Sequence, residues 1–257
     1  MRTPEKMDAE GRTLNLPVRT KKPRKNGITA ITDLGVPCGE LAHILENYHS
    51  FVDIAKLGIG SAYLEPAIQK KIAIYSEYGI PVYFGGTLFE KYFFQEKLDD
   101  YLFFLNKLGI TWLEVSDGTI TMKPDEFSAI ISRLKDNFNV LAEVGKKDEA
   151  EDLKQEEWLS LTEQALRAGC LYVVLEGRNT GDSGIYSADG TLRKQLVEKI
   201  IEVVNPERLI FEAPSSHSQS QLINVLGNNV NMGNIFLRNL LLVESQRQGL
   251  RSETFYI

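Results

Sequence analysis

Eight short apolar runs recur along the chain, separated by longer stretches whose apolar positions follow helical spacing. The runs span residues 28–33, 51–56, 80–84, 111–116, 139–144, 171–176, 208–212 and 230–234. The last is the weakest, rich in Asn and poor in β-branched residues. The intervening stretches carry the boundary chemistry of helices. Pro66 and Pro124 fall near first-turn positions, where a missing N–H costs least. Gly79, Gly109, Gly169 and Gly227 each follow a helix-like pattern and precede a strand, as expected of residues that end helices at positive φ. Strands alternating with helices imply parallel pairing through helical crossovers. Eight such units in 257 residues predict an α/β fold of the (β/α)₈ TIM-barrel type rather than an open doubly wound sheet. The first turn, Asp33-Leu34-Gly35-Val36-Pro37, also lacks the GxGxxG of a dinucleotide fold.

A composition of 43% hydrophobic and 25% charged residues suits one large core. Residues 28–257 are therefore expected to form a single barrel domain, preceded by an N-terminal arm, residues 1–27. Between residues 19 and 25 the arm reads RTKKPRK. Such a run is expected to be solvated, with Arg19 or Arg24 folding back toward an anionic ligand as the other option. A formal net charge of -6 argues against a nucleic-acid partner, which calls for a basic face. No stretch approaches the roughly 20 apolar residues of a membrane span, and the charged N-terminus lacks the apolar core of a signal peptide. A cytoplasmic protein with no membrane partner is expected. Cys38 and Cys170 lie in no paired motif, and His43, His49 and His217 show no zinc-ligand spacing.

The chemistry gathers where the runs end. Four of them stop at a glutamate: Leu113-Glu114-Val115-Ser116, Ala142-Glu143-Val144-Gly145, Leu175-Glu176-Gly177-Arg178 and Phe211-Glu212-Ala213-Pro214. In a barrel the strand C-termini converge on the face that holds the active site. Asp33, Lys56, Gly85, Gly86, Glu114, Ser116, Asp117, Glu143, Lys146, Glu176, Arg178, Glu212, Asn231 and Asn234 are expected around that mouth. Two carboxylates about 6 Å apart repel by roughly 3 kcal/mol at an effective dielectric near 20, so several acids together call for a cation or for protonation. Oxygen donors without His or Cys favour Mg²⁺ over zinc. Glu114, Glu143, Glu176 and Glu212 are the expected ligands, with salt bridges to Lys or Arg as the alternative for any one of them.

Basic residues point to an anionic substrate. Lys56 precedes Gly58-Ile59-Gly60-Ser61, whose amides form either an anion nest or a tight strand-to-helix turn. Arg178 opens a loop, residues 179–190, of the length seen in lids and binding loops, and its guanidinium suits phosphate, carboxylate or sulfonate. Lys146 and Lys147 follow the fifth run, where a partly desolvated lysine serves as general acid or base. Metal plus lysine is the equipment that stabilises and protonates an enolate. The residues alone predict a Mg²⁺-assisted barrel enzyme acting on a small polyanion.

The ordered set Phe84-Gly-Gly-Thr-Leu-Phe-Glu90, Glu114-Val-Ser-Asp-Gly118, Glu143-Val-Gly-Lys-Lys147, Glu176-Gly-Arg178, Ile210-Phe-Glu-Ala-Pro214, Asn231-Met-Gly-Asn-Ile235 and Gly249-Leu-Arg-Ser-Glu-Thr-Phe255 resembles the phosphosulfolactate synthase family. The resemblance implies a lyase that adds sulfite to phosphoenolpyruvate, giving (R)-2-phospho-3-sulfolactate, with Mg²⁺ required. It implies that some of the four glutamates hold the metal and that Lys146, the first lysine of EVGKK, protonates C2. Lys56 and Arg178 would meet sulfite and phosphate. Asn231, Asn234 and Ser215 lie where barrels often bind phosphate, although asparagines there also cap turns, and Ser116, Gly85 and Gly86 complete the expected substrate-binding set. The segment Lys56-Leu-Gly-Ile-Gly-Ser61 departs from the KFGWGT-like pattern expected of the family, losing the Trp and exchanging Thr for Ser. The family extends beyond coenzyme M biosynthesis to sulfolactate formation and heat-stress-associated relatives, so a pathway does not follow from the resemblance. Two other readings stand beside it: a non-catalytic anion-binding or stress relative, and an enolate lyase with a different nucleophile. Retention of Lys146, Arg178 and four glutamates counts against the binder. Barrels of this kind often associate, which makes a homo-oligomer an expectation.

Overall fold

The structure is a computed structural model and describes residues 13–146, 153–177 and 181–257. The eight runs become eight parallel strands: β1 (Thr29–Asp33), β2 (Ile54–Leu57), β3 (Val82–Phe84), β4 (Trp112–Val115), β5 (Asn139–Val144), β6 (Tyr172–Leu175), β7 (Leu209–Glu212) and β8 (Met232–Phe236). They stand in the order β3-β2-β1-β8-β7-β6-β5-β4, and the sheet curls until β3 and β4 pack side by side. The result is a nearly closed (β/α)₈ barrel whose seam, between β3 and β4, lacks a ladder among the described residues. Around it lie α1 (Cys38–Tyr48), α2 (Ser61–Leu64), α3 (Ile68–Glu77), α4 (Gly86–Phe94), α5 (Leu98–Lys107), α6 (Pro124–Leu134), α7 (Gln155–Ala168), α8 (Lys194–Val203), α9 (Ser216–Leu226) and α10 (Leu240–Arg247). Pro124 opens α6 as expected, whereas Pro66 lies two residues before α3. No helix among the described residues is long and apolar enough to cross a membrane.

Strand alternation decides what faces what. Ile31, Ala55, Leu57, Phe84, Leu113, Val115, Ala142, Val173, Leu175 and Phe211 face outward and join the helices in one large buried core. The alternate positions face inward, where Ile28, Ala30, Ile54, Tyr83, Leu141, Val174 and Ile210, with Trp112 and Tyr172, form a second core inside the barrel. Two residues further along each strand keep the same facing. From Ala30, Ile54, Tyr83, Trp112, Leu141, Val174 and Ile210 that step gives Thr32, Lys56, Gly85, Glu114, Glu143, Glu176 and Glu212, all buried. A polar ring therefore sits directly on the apolar plug.

The same parity corrects one expectation. Asp33 falls on the outward face of β1 and does not reach the mouth. Its buried carboxylate accepts the amides of Gly35 and Val36 (both 2.8 Å), the Lys71 ammonium (3.2 Å) and the Tyr75 hydroxyl (3.0 Å), fastening β1 to α3.

The arm corrects another. Arg19 pairs with Glu244 at 2.6 Å and donates to Asn229 Oδ1, while Arg24 pairs with Asp53 at 3.0 Å and Lys22 donates to the carbonyls of His49 and Val52. The basic run folds back onto carboxylates and carbonyls at the floor of the barrel. It is neither a freely solvated arm nor directed at a ligand. Beside it the fully buried Arg247 donates to the carbonyls of Asn228 and Val230 (both 2.7 Å) and of Ile28 (3.1 Å). Burial, and then the charge of Arg19, bring its guanidinium down to about 9. Arg247→Met should strand those carbonyls at a cost of about 3 kcal/mol, read as a lower urea midpoint at unchanged slope.

Candidate active site

Lys56 lies at the centre of the ring. Its ammonium is 3.0 Å from Glu212, 3.4 Å from Glu143 and 3.5 Å from Glu114. Each carboxylate has a further tether. Glu114 accepts the Gly86 amide at 2.6 Å, a bond that crosses the unladdered β3–β4 seam, and Glu212 accepts the Gly177 amide at 3.0 Å. Any Cβ at position 86 would run into the Ser116 side chain, so the seam bond requires glycine there. Glu143 lies 3.0 Å from the Ser116 hydroxyl, which also lies 2.5 Å from Glu90 of α4. One hydroxyl proton serves these two carboxylates in turn. Glu176 is buried in the same ring.

Electrostatics fixes the character of the ring. Burial drives the Glu114 carboxyl up to about 8, an effect that Lys56 offsets in part and that Glu143 and Glu212 add to. For Lys56, burial acts to lower the pKa, but Glu114 and Glu212 outweigh it, and the ammonium holds its proton well above the ordinary lysine range. Lys56 is thus a fixed cation inside the barrel and does not turn toward the glycine turn after β2. In that turn Ile59 and Gly60 both take positive φ, 49° and 71°, and lead directly into α2. For Glu114, Glu143 and Glu212 the structure realises the salt-bridge alternative, with one lysine serving all three.

The donor chemistry fits Mg²⁺. All candidate ligands are carboxylate oxygens, and Glu114 Oε2 is buried without a hydrogen-bond partner. Among the described residues, no three acidic, His or Cys side chains are gathered around a common metal position. The three glutamates converge on the Lys56 ammonium instead.

The other expected residues divide. Lys146 is close to the ring in sequence but its ammonium donates to the Asp117 carbonyl (2.9 Å) and carboxylate (3.0 Å), on the turn after β4. Arg178 and Lys147 lie outside the described residues. Gly85 is the extended residue just before α4, its amide donating to the Leu57 carbonyl. Ser215 caps α9, accepting the Ser218 amide. Asn231 is misplaced by the sequence: it precedes β8 and sits at the barrel floor, accepting the Ile28 amide (2.9 Å) and donating to the Leu209 carbonyl (3.0 Å). Asn234 stays on the mouth side, where the register between β1 and β8 shifts. It is buried at φ 55° with its Oδ1 unpartnered. A non-glycine residue held in the left-handed region beside a bulge is a costly local conformation of the kind kept at functional sites.

The loop after β6 is not a lid in its described part, residues 181–190. Tyr186 donates to the Glu212 carbonyl (2.8 Å), Ile185 to the Glu176 carbonyl (2.9 Å), and Gln221 to the Gly190 carbonyl (2.9 Å), which makes it a fixed wall. Sequence reasoning missed Tyr83, Glu90 and Tyr186. Strand alternation with Gly85 was a signal for Tyr83. The one-turn spacing from Gly86, which puts both on one helix face, was a signal for Glu90.

Comparison with known proteins agrees with this architecture. The model of the (2R)-phospho-3-sulfolactate synthase (ComA) family matches residues 17–253. Phosphosulfolactate synthase of Bacillus subtilis (strain 168) is 38% identical over 248 residues, covering 95% of this chain and 98% of that protein. The protein of the same name from Methanothermobacter thermautotrophicus is 34% identical over 244 residues, covering 93% and 95%. Among solved structures, 3-hexulose-6-phosphate synthase from Salmonella typhimurium superposes with a TM-score of 0.53 at 14% identity, covering 86% of this chain and 100% of that one. The YdjI aldolase from Escherichia coli K12 gives 0.53 at 12% identity, covering 83% and 76%. At such identities the two structures speak for the barrel alone. The family match is of another kind, running from the arm past the last helix and through every strand that contributes to the ring, and it makes this chain a member of the (2R)-phospho-3-sulfolactate synthase (ComA) family.

Proposed function

We propose that the chain is a phosphosulfolactate synthase that adds sulfite to phosphoenolpyruvate, giving (R)-2-phospho-3-sulfolactate, with Mg²⁺ as cofactor. The observation that carries this reading is the end-to-end match to proteins of that name. Joining two anions calls for positive charge in a site shielded from water, and because Lys56 alone faces three carboxylates in the ring, the reading needs a divalent cation beside it. Glu114, Glu143 and Glu212, with Glu176 beside them, would hold Mg²⁺, which when bound supplies Lewis-acid charge stabilisation. In the reaction the sulfite sulfur lone pair forms a bond to C3, and the C2–C3 π pair moves into the substrate carboxylate. As the carboxylate re-forms, C2 takes a proton from the Lys146 ammonium. No bond to phosphorus breaks. Lys56 contributes a permanent positive charge, and its firmly held proton suits it to binding rather than to proton donation. Arg178 would join it on sulfite or phosphate. Ser215 with the N-terminus of α9, and Asn234, would receive the phosphate.

Incubating the protein with phosphoenolpyruvate, sulfite and Mg²⁺ and identifying the product by NMR tests the reading. Sulfite-dependent formation of phosphosulfolactate is expected, and a complete lack of organosulfonate would sink it. Asn234→Gly tests the phosphate assignment. Relief of the left-handed strain should raise stability by about 1 kcal/mol, while loss of one substrate hydrogen bond should raise KM for phosphoenolpyruvate about tenfold.

A further inference from the structure

Lys146 does not stand free at the mouth. Besides the two Asp117 oxygens, its ammonium reaches the Ile120 carbonyl at 3.4 Å, so all three acceptors belong to the turn after β4. That turn has no regular structure of its own: residues 116–123 belong to no helix or strand. What grips it comes from α4. Glu90, buried beneath the turn, takes the Ser116 hydroxyl on Oε1 at 2.5 Å and the Thr119 amide on Oε2 at 3.1 Å. A single carboxylate thus holds both ends of the segment 116–119, and Asp117, between those ends, presents its oxygens to Lys146.

We infer that Glu90 is a positioning residue for Lys146, setting through the turn 116–120 where the ammonium points. The inference rests on the proposed role of Lys146 as proton donor. Both oxygens of Glu90 act as acceptors, and that is what makes a carboxylate the fitting group. A glutamine offers one acceptor and one donor, so the Ser116 hydroxyl must rotate to accept instead of donate. An alanine releases both ends. A displacement of the donor by about 1 Å is enough to cost about 100-fold in rate.

The test compares wild type, Glu90→Gln, Glu90→Ala and Lys146→Ala by turnover, KM and configuration of the product at C2, with amide hydrogen exchange on each free protein. Glu90→Ala is expected to lower kcat about 100-fold at nearly unchanged KM. Its product should lose the single configuration at C2 as water supplies the proton. Exchange should quicken at Gly118 and Thr119 while the barrel strands stay protected. Glu90→Gln, isosteric and the deciding variant if alanine prevents folding, should show smaller changes of the same kind. Full turnover in folded Glu90 variants beside an inactive Lys146→Ala overturns the inference alone. Lost turnover with protection lost throughout the barrel also overturns it, since Glu90 is then structural only. Full turnover in Lys146→Ala overturns the proton-donor reading itself, and the inference with it.

Discussion

Replacing Lys56 by Met is expected to destabilise the folded chain by about 4 kcal/mol at pH 8 and to abolish turnover. Methionine fills the volume, but Glu114, Glu143 and Glu212 lose the ammonium that now lies 3.0 to 3.5 Å from each. The loss should depend on pH with a definite sign. A buried acid whose pKa is raised on folding binds protons more tightly in the folded state than in the unfolded one, so stability falls as pH climbs from the unfolded value toward the folded value. Glu114 already does this in the wild type, at about 8 against the ordinary 4.5. The melting temperature measured in EDTA should therefore decline between pH 5 and pH 8. The decline should flatten in Glu114→Gln and steepen in Lys56→Met, where the ammonium no longer offsets the effect of burial on Glu114. Mg²⁺ should restore more stability to Lys56→Met than to wild type, because the ammonium no longer occupies the point on which the carboxylates converge. A Lys56→Met protein as stable as wild type at pH 8, with a flat pH profile, would show that the ring does not depend on this cation.

The members of the ring were legible in the sequence, and their pairing was not. Glu114, Glu143, Glu176 and Glu212 each end an apolar run, and a period of two is enough to put them in one layer with Lys56. The same period selects Thr32 over Asp33, a distinction lost when the last polar residue of a run is taken as the mouth residue. At β8 the pattern itself fails. Asparagine has little strand preference, and the register shift next to Gly233 and Asn234 breaks the alternation that would have shown the strand starting at Met232. Asn231 consequently lands at the floor instead of the mouth. The arm fails for a different reason. Its charge predicts solvation, but Arg19 finds Glu244 across 225 positions of sequence and Arg24 finds Asp53 across 29. Local composition carries no information about such partners. The single lysine shared by three strands is of the same nature, since β2, β4, β5 and β7 meet only once the barrel has curled.

Lys146→Ala should separate chemistry from stability in the opposite way to Lys56. The Lys146 ammonium pairs with one partly buried carboxylate, Asp117, at the barrel rim. Its removal leaves that carboxylate and the carbonyls of Asp117 and Ile120 without the ammonium, at a cost of about 2 kcal/mol, about half the loss at Lys56, and leaves a folded ring. Turnover should nevertheless fall about 1,000-fold, the usual worth of a positioned general acid. KM for phosphoenolpyruvate should change little, because an interaction made only as C2 is protonated lowers kcat and kcat/KM together. Lys146→Arg should not recover the rate even though it restores the charge, since a guanidinium does not give up its proton at neutral pH. A small primary amine added to Lys146→Ala should recover part of it. Recovery by arginine in place of an amine would reassign Lys146 from proton donor to electrostatic anchor. The proton would then have to reach C2 from some other group at the mouth.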